Sequence, residues 1–315
     1  MKIVITGALG HIGSKLIREL PPRMAEAEYV LLDDLSAQRY CSLFNLPNDF
    51  NYRFYEADVL TADLREFVSG ADVVIHLAAV TNAAGSFDNP EQVERVNYKG
   101  TEKVARACVE MNCPLIFLSS TSVYGTQKDI VDEDCSVEDL KPQSPYAESK
   151  LMAENLLARL GENEGLRFVT CRFGTIFGVS TGMRFHTAVN KFCWQAVTGQ
   201  PVTVWKTALH QVRPYLDLND AVDAMDFIIQ RSLYDGRVYN VLTCNVTVDE
   251  ILRVISRHVN DLKVNFVETA IMNQLSYHVS AERLKKMGFE CRGDIENGIR
   301  QTIDLLKGVR RWAQS

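Results

Sequence analysis

The sequence predicts an α/β fold in which helices cover both faces of a parallel β-sheet and the later part of the chain forms a smaller lobe. Short apolar runs alternate with amphipathic segments through the first half of the sequence, and a glycine-rich turn directly follows the first run. Such alternation requires crossovers, which make neighbouring strands parallel. Beyond residue 173 the segments become shorter and interrupted. We therefore expect a doubly wound sheet followed by a discontinuous lobe.

Composition and charge narrow the classes of protein that this chain can represent. A length of 315 residues can bury a sizeable core, either as one large domain or as two domains that share an interface. The 46% hydrophobic and 23% charged residues are ordinary for a soluble globular protein. A net charge of -6 provides no broad basic field, so we expect neither nucleic acid nor a membrane among the partners.

Cysteine usage and the start of the chain favour a reduced, cytoplasmic protein without a metal site. The eight cysteines form no Cys-x-x-Cys pair and no cysteine–histidine cluster at zinc spacing. The chain starts directly with an apolar run at residues 2–6, and no stretch approaches the roughly 18 apolar residues of a membrane span. We expect no signal peptide, no metal and a cytoplasmic location.

The first unit has the pattern of a strand, a glycine turn and a helix. After the run at residues 2–6 comes TGALGHIG, and then an apolar-periodic segment that two prolines stop after Leu20. Gly7, Gly10 and Gly13 are spaced one residue wider than the G-x-G-x-x-G dinucleotide fingerprint. The spacing still lets amides at a helix N-terminus face a pyrophosphate. The unit predicts a Rossmann-type dinucleotide site.

Acidic residues follow the second and third predicted strands. The second strand, residues 29–32, ends in Asp33 and Asp34, where a carboxylate can accept the ribose hydroxyls of a dinucleotide. A carboxylate there also repels a 2′-phosphate, which favours NAD over NADP; the alternative is an acidic turn. Asp58 follows the third strand, residues 52–55, and either bonds the adenine amine or lies in a solvated turn.

The remaining segments complete the predicted architecture. Further strands are expected at residues 73–77, 115–119, 167–172 and 238–241, with amphipathic segments at 91–111 and 220–232. The dinucleotide-binding domain is then 1–173 plus about 213–242, and the substrate lobe is about 174–212 and 243–315. The acidic, polar loop at 126–144 is expected to cover the ligand edge of the sheet.

Tyr146 and Lys150 lie four residues apart in SPYAESK, so a helix places the phenol and the ammonium on one face. A buried ammonium beside a phenol favours the phenolate, and a tyrosine with an ordinary pKa of about 10 can then act as a base nearer neutrality. Tyr146 is therefore a candidate proton shuttle. The same spacing also occurs on ordinary helix surfaces, and its position after a dinucleotide-type first half favours the catalytic interpretation.

These motifs, in this order, resemble those of the extended short-chain dehydrogenase/reductases, and specifically the NAD-dependent epimerase/dehydratase group that acts on nucleotide sugars. The resemblance covers nearly the whole chain. The matching segments are TGALGHIG, IHLAA, SSTSVYG with SPYAESK, RFGTIFG and VRPYLDLNDAVDA. It implies a tightly bound NAD, a nucleotide-diphosphate sugar substrate, and a homodimer formed by the helices at 91–111 and 146–160.

The resemblance also implies catalytic roles. Tyr146 would take the proton from a sugar hydroxyl, and Lys150 would bind the nicotinamide ribose and lower the pKa of the tyrosine. Ser120 would bond the reacting oxygen, with Thr121 as the alternative. The cofactor contacts that it implies are Gly7, Leu9, Gly10, His11, Ile12, Gly13, Asp33, Asp34, Asp58, Val59, Leu77, Ala78, Ala79, Asn97, Tyr146 and Lys150.

The substrate side depends on fewer residues. Arg213 resembles the family arginine that binds the diphosphate, because a guanidinium binds phosphate oxygens bidentately. Arg184 is expected to meet a substrate carboxylate or phosphate. Asn190 lies near the nucleotide or on a polar helix face, and Thr81 bonds sugar hydroxyls or caps a turn.

One departure from the family bears on the reaction. Members that eliminate water, and members that decarboxylate, carry acidic residues where this sequence has Thr121 and Ser122. Dehydratase and decarboxylase chemistry are therefore disfavoured, which leaves a 4-epimerase that works through a transient 4-keto intermediate. A 4-dehydrogenase or 4-ketoreductase with net redox uses the same residues. A non-catalytic NAD-binding protein is the third hypothesis.

We expect structural roles, and no catalytic role, for His11 and His76. His11, inside the glycine turn, is expected to be a spacer whose side chain faces solvent. His76, on a predicted buried strand, is expected to be a core histidine with its hydrogen bonds satisfied.

Overall fold

The computed structural model describes residues 1–125, 130–268 and 276–309. Its strands are β1 (Lys2–Thr6), β2 (Glu28–Asp33), β3 (Asn51–Glu56), β4 (Val73–His76), β5 (Leu115–Ser120), β6 (Ile130–Val131), β7 (Phe168–Phe173), β8 (Thr175–Phe177), β9 (Val202–Trp205), β10 (Val212–Asp217), β11 (Val238–Val241), β12 (Cys244–Thr247), β13 (Val264–Val267) and β14 (His278–Val279). Its helices are α1 (His11–Glu19), α2 (Leu64–Val68), α3 (Pro90–Glu94), α4 (Gly100–Glu110), α5 (Pro145–Glu164), α6 (Ala188–Val197), α7 (Leu218–Arg231), α8 (Val248–His258), α9 (Glu282–Lys286) and α10 (Ile295–Leu306).

Seven parallel strands form the large sheet, in the order β11-β7-β5-β4-β1-β2-β3. The chain starts in the middle at β1, runs outward to β3, and returns to β4 on the other side of β1. This topology confirms the predicted doubly wound, Rossmann-type sheet. Segments from the later part of the chain complete the large sheet, since α7 leads into β11 and β11 pairs with β7.

The large sheet is buried on both faces, which explains why its strands are continuously apolar. Ile3 and Ile5 pack on one side in a cluster with Leu16 of α1, whereas Val4 packs on the other side with Leu157 of α5. Successive strand residues point to opposite faces, so one short run supplies both cores. The carboxyl ends of these strands are thereby held at one rigid edge.

The smaller lobe contains a three-stranded sheet, β12-β10-β8, and the two-stranded pairs β13-β9 and β14-β6. Its core packs α6, α8 and α10 together with these strands. Residues from about 213 were assigned to the dinucleotide-binding unit, but residues 213–217 lie in β10, which pairs with β8 and β12. Of the loop expected to cover the ligand edge, residues 126–129 lie outside the described residues, and residues 130–131 form β6.

Across the described ranges, no helix combines the length and the apolar character that a membrane crossing would require.

Candidate active site

A cleft of about 640 Å³ opens where β1, β2, β4, β5 and β7 end. This is the edge at which parallel sheets bind ligands, beside the point where the strand order reverses between β1 and β4. Most of the residues predicted from the sequence line it. They are Gly7, Leu9, Gly10, His11, Ile12, Gly13, Asp33, Asp34, Asp58, Val59, Leu77, Ala78, Ala79, Thr81, Ser120, Tyr146, Lys150 and Arg184.

The glycine turn forms a cradle that a side chain would fill. Gly7 has a φ of +66°, and a Cβ at this position would lie 2.6 Å from the amide nitrogen of Ala78. Helix α1 starts at His11, directly after Gly10, so its first amides point toward the cleft floor. A pyrophosphate fits such a site because the amides and the helix dipole favour negative charge.

Asp33 lies at the end of β2 and faces the same turn. Its Oδ2 accepts the amide of Leu9 at 3.0 Å and its Oδ1 accepts the amide of Leu35 at 3.1 Å. Burial raises the pKa of Asp33, and the two backbone hydrogen bonds oppose this shift. Each oxygen keeps a further lone pair, which a ribose hydroxyl can use. Asp58, whose Oδ1 accepts the amide of Leu60 at 2.8 Å, lines the same end of the cleft.

Tyr146 occupies the first turn of α5, because the local sequence starts a helix there. Ser144 caps the helix by accepting the amide of Ala147 at 3.2 Å, and Pro145 takes the first helical position. The Tyr146 side chain lies near enough to Ser120, at the end of β5, for the serine hydroxyl to lower the pKa of the phenol. The two candidate catalytic groups therefore meet in the cleft.

The pKa of Tyr146 is raised above its ordinary value because the ring is desolvated by burial. The hydrogen bond with Ser120 and the positive charge of Arg184 act in the opposite direction. The sequence predicts that Lys150 lowers the pKa of Tyr146, but Lys150 does not contribute to the shift. The Lys150 ammonium instead donates to the carbonyl oxygen of Leu118 at 2.7 Å and lies 4.9 Å from the ring centroid of Phe117.

A buried ion pair that the sequence reasoning missed lies beneath Lys150. Arg172 Nη2 and Glu154 Oε2 are 2.6 Å apart, and both side chains are 5% exposed. The same carboxylate accepts the hydroxyl of Ser119. Burial lowers the pKa of Lys150 to about 8, and the negative charge of Glu154 opposes that shift. The Lys150–Glu154 spacing of four residues on one helix was the available signal.

Two polar atoms of residues that line the cleft lack hydrogen-bond partners within the described residues. Thr81 Oγ1 and Arg184 Nε are buried and form no hydrogen bond within the described part of the chain. Burial and the charge of Arg39 lower the pKa of Arg184 to about 10, which leaves it charged at neutral pH. Buried polar groups are normally satisfied, so these two atoms indicate where a polar ligand binds.

Asn97, predicted to contact the cofactor, and Thr121, predicted as the alternative to Ser120, are not among the residues that line the cleft. Asn97 is buried in a π-helical turn, Arg95–Lys99; its amide holds both backbone groups of Val80 and donates to Ser149 at 3.0 Å. It links the loop after β4 to the catalytic helix instead of lining the cleft. The Thr121 hydroxyl donates to the carbonyl of Phe173 at 3.3 Å, so it is turned away from Tyr146.

The two predicted nucleotide-side residues also lie outside the cleft lining. Asn190 is fully buried and bonds the backbone at Gly178 and Arg184. The Arg213 guanidinium packs 5.2 Å from the ring centroid of Tyr277, because β10 belongs to the small sheet. The interpretation of Asn190 as a residue on a polar helix face is wrong, because its side chain is fully buried.

Of the two predictions for histidines, one is confirmed and one is wrong. His76 is a satisfied core histidine as predicted, since its ring contacts Thr6 Oγ1 at 2.7 Å and Thr101 Oγ1 at 3.0 Å. The solvent-facing prediction for His11 is wrong. Its ring is buried and contacts the carbonyl of Gly178 at 3.0 Å, because a loop of the smaller lobe packs onto the glycine turn.

Arg39 and Ser122 also line the cleft, although the sequence did not predict either as a site residue. Ser122 bonds Ser120 at 2.9 Å between their hydroxyl oxygens. Arg39 lies over the glycine turn, with Nη1 at 3.9 Å from where a Cβ on Gly10 would be. A cation in the polar segment after β2 was the signal available for Arg39.

A sequence model of the NAD dependent epimerase/dehydratase family matches residues 3–241. The chain belongs to this family. Its cofactor is NAD, and the glycine cradle, the first turn of α1 and the Asp33 carboxylate of this chain fit that dinucleotide. The family consists of enzymes that act as epimerases and dehydratases.

Curated relatives match over almost the whole chain. A trifunctional UDP-glucose 4,6-dehydratase/UDP-4-keto-6-deoxy-D-glucose 3,5-epimerase/UDP-4-keto-L-rhamnose-reductase of Arabidopsis thaliana is 30% identical over 328 residues. The match covers 98% of this chain and 48% of the relative, so this chain spans about half the length of that protein.

Solved structures share the fold. The UDP-N-acetylglucosamine 4-epimerase from Methanobrevibacter ruminantium M1, in complex with UDP-N-acetylmuramic acid, is 26% identical with a TM-score of 0.84, and the match covers 96% of this chain and 97% of that one. The UDP-glucuronic acid 4-epimerase from Bacillus cereus, in complex with UDP-glucuronic acid and NAD, has a TM-score of 0.84 at 22% identity, with 98% and 99% covered. The second likeness supports the fold alone.

Proposed function

We propose that this chain is a nucleotide-sugar 4-epimerase that keeps NAD tightly bound and works through a transient 4-keto sugar. The observation that carries the proposal is that Tyr146 and Ser120 line the same cleft, close enough for the serine hydroxyl to act on the pKa of the phenol. Among the described lining residues, the carboxylates are Asp33 at the end of β2, Asp34 directly after it, and Asp58 shortly after β3. The catalytic end thus carries groups for proton transfer without an acid for elimination.

The residues of the chain would divide the work as follows. NAD supplies the acceptor, and later the donor, of a hydride at C4 of the sugar. Tyr146 would act in its phenolate form, which the charge of Arg184 favours against the effect of burial. The phenolate would accept the proton of the C4 hydroxyl during oxidation and return it during reduction, while Ser120 would donate to the oxygen that becomes the ketone. Ser122 holds Ser120 in place, because its amide donates to Ser120 Oγ at 3.1 Å.

Elimination of water is less well supported. It requires an acid and a base close to the sugar, at the positions that Thr121 and Ser122 occupy. The Thr121 hydroxyl is committed to the carbonyl of Phe173, and Ser122 is committed to Ser120. The aliphatic hydroxyl of a serine or threonine has no pKa suited to proton exchange near neutrality.

The substrate end supports a sugar that bears a carboxylate. Arg184 presents a buried guanidinium, and its Nε and the hydroxyl of Thr81 both await partners in the described structure. A carboxylate satisfies a guanidinium bidentately. The Methanobrevibacter structure holds an acidic sugar nucleotide, UDP-N-acetylmuramic acid, which agrees with this assignment.

The test is conversion without added cofactor. The purified protein is incubated with UDP-glucose, UDP-glucuronic acid and UDP-N-acetylglucosamine, and the sugar at C4 is examined by NMR while reduced-nicotinamide absorbance is recorded. We expect a C4-inverted product and no net reduction of NAD.

Tyr146→Phe should lower turnover about 10²- to 10⁴-fold with NAD still bound. The control Tyr55→Phe, on an exposed ring, should leave turnover unchanged.

Other outcomes contradict the proposal in distinct ways. Accumulation of a released 4-keto sugar with reduced nicotinamide would establish net redox chemistry instead. Full turnover by Tyr146→Phe would remove the proton shuttle from the mechanism. No conversion of any of the sugars, together with intact NAD binding, would favour a non-catalytic protein.

A further inference from the structure

Arg184 lies on a short segment that connects β8 to α6, here called the arginine loop (residues 178–187). Its guanidinium faces the cleft and is close enough to Tyr146 for each charge to affect the other. Its Nε has no hydrogen-bond partner in the described chain. The place of this guanidinium therefore depends on how the backbone of the arginine loop is held.

The glycine turn and the first turn of α1 hold one side of the arginine loop. The ring Nε2 of His11 contacts the carbonyl of Gly178 at 3.0 Å, and the Ser180 hydroxyl donates to the carbonyl of His11 at 2.9 Å. The amide of Gly182 donates to Ser14 Oγ at 2.8 Å. Three hydrogen bonds thus join Gly178, Ser180 and Gly182 of the loop to the glycine turn and the first turn of α1.

The approach at Gly182 leaves no room for a side chain. A Cβ on this residue would lie 2.5 Å from the carbonyl oxygen of Leu9 and 2.6 Å from that of Gly10. Contacts this short do not occur for real Cβ atoms, so the two backbones are packed directly on each other. A displacement of the glycine turn must therefore displace the loop.

Asn190 of α6 holds the other side. Its Oδ1 accepts the amide of Gly178 at 3.3 Å, and its Nδ2 donates to the carbonyl of Arg184 at 3.0 Å. The side chain is 0% exposed. One amide group therefore fixes both ends of the segment from Gly178 to Arg184.

We propose that Ser14, His11 and Asn190 are positioning residues for Arg184, and that the arginine loop makes the affinity for an anionic sugar nucleotide depend on the order of the cofactor turn. A dinucleotide that binds the amides at the start of α1 restrains this turn. The turn restrains the loop, and the loop delivers Arg184 to the substrate. Only the identity of the substrate rests on the proposed function; the mechanical link does not.

The first experiment measures the link without any substrate. Amide hydrogen exchange is followed in the full-length, NAD-loaded protein for peptides that cover residues 178–187. Ser14→Ala removes the acceptor of the Gly182 amide, so we expect faster exchange there. Ser256→Ala, an exposed serine on α8 whose hydroxyl bonds only its own helix at Arg253, is the matched control and should not change the loop. NAD added to depleted wild type should slow exchange in the loop, and less so in Ser14→Ala.

The second experiment is a double-mutant cycle on the KM for UDP-glucuronic acid with Ser14→Ala, Arg184→Ala and the pair. If Ser14 acts through Arg184, Ser14→Ala raises KM by about 5- to 150-fold, the usual range for coupled sites, with little change in kcat. The same substitution then has little further effect when Arg184 is absent. Asn190→Asp, which keeps the acceptor for Gly178 and loses the donor to Arg184, should resemble Ser14→Ala.

The outcomes separate this inference from the proposed function. Unchanged exchange in the loop of Ser14→Ala, or effects of the two substitutions that multiply, would overturn the positioning role. Absence of turnover with UDP-glucuronic acid would count against the proposed function alone, because the exchange experiment would still decide the link.

Discussion

The ammonium group of Lys150 is buried in the interior of the protein. Its side chain is 5% exposed, and burial lowers its pKa from an ordinary 10.5 to about 8. Below pH 8 both the folded and the unfolded chain hold this proton, and the folded chain bears the cost of desolvating it. Between pH 8 and 10.5 the unfolded chain binds more protons, so the wild type gains stability as pH rises through that window.

Lys150→Met should therefore stabilise the fold at pH 7 by ~2 kcal/mol, after the loss of the hydrogen bond to Leu118 is subtracted. The advantage should shrink as pH rises from 8 and be lost above about pH 10.5, where the wild-type lysine becomes neutral in both states. Urea unfolding at pH 7 and at high pH measures this directly. A variant that is less stable than wild type at pH 7 would show that the ammonium contributes more through its contacts than it costs through burial.

Individual residues were predictable where a motif fixes both the residue and its direction. Tyr146 and Ser120 follow from a helix start and a strand end, and the structure brings their side chains together. The family resemblance predicts ligand contacts for Asn97 and Thr121, and Asn190 is expected near the nucleotide or on a polar helix face. Each instead bonds a backbone group that is distant in sequence, and a sequence pattern cannot reveal which carbonyl or amide a side chain will meet.

At the level of elements, the ring of His76 links β4 to β1 and to α4 through hydrogen bonds. Its ring contacts Thr6 of β1 at 2.7 Å and Thr101 of α4 at 3.0 Å, from its own place at the end of β4. Burial and the charge of Lys150 lower its pKa from 6.5 to about 3. The ring stays neutral in the fold, while the unfolded chain takes up a proton as pH falls below 6.5.

This difference predicts a loss of stability in acid. Because the unfolded state gains the proton first, His76 should cost about 2 kcal/mol between pH 6.5 and 5. His76→Gln should show a shallower loss over that range, although it is less stable at pH 7. Unfolding free energies at several pH values test this, with the exposed His278→Gln as control. Parallel profiles for wild type and His76→Gln would refute the assignment.

The elements of the large sheet were predictable to within a residue or two, because each strand is an apolar run bounded by turn residues. The association of β10 was not. Its sequence, VRPYLD, has the same apolar character as a strand of the large sheet, yet it pairs with β8 and β12. Pairing depends on the course of the chain between elements, which local pattern does not encode.

At the level of the whole molecule, the homodimer stays a prediction. Helices α4 and α5 pack against each other beside the large sheet, and Met152 of α5 is 39% exposed. If this surface is the two-fold interface, light scattering should give about twice the chain mass of 35.5 kDa. Met152→Asp should shift the protein toward the monomer, since a carboxylate in the interface is desolvated without a partner. Met287→Asp, on an exposed methionine after α9, should leave the mass unchanged.

The late arrival of β11 has a consequence for how this protein is made. During synthesis, β7 emerges more than sixty residues before its outer neighbour, with an open strand edge that favours pairing with other chains. A gene fragment that stops after β7 would leave that edge permanently open and would be prone to aggregate. If the protein is divided into two fragments, the division should therefore fall after β11, so that α7 and β11 stay in the same fragment as β7.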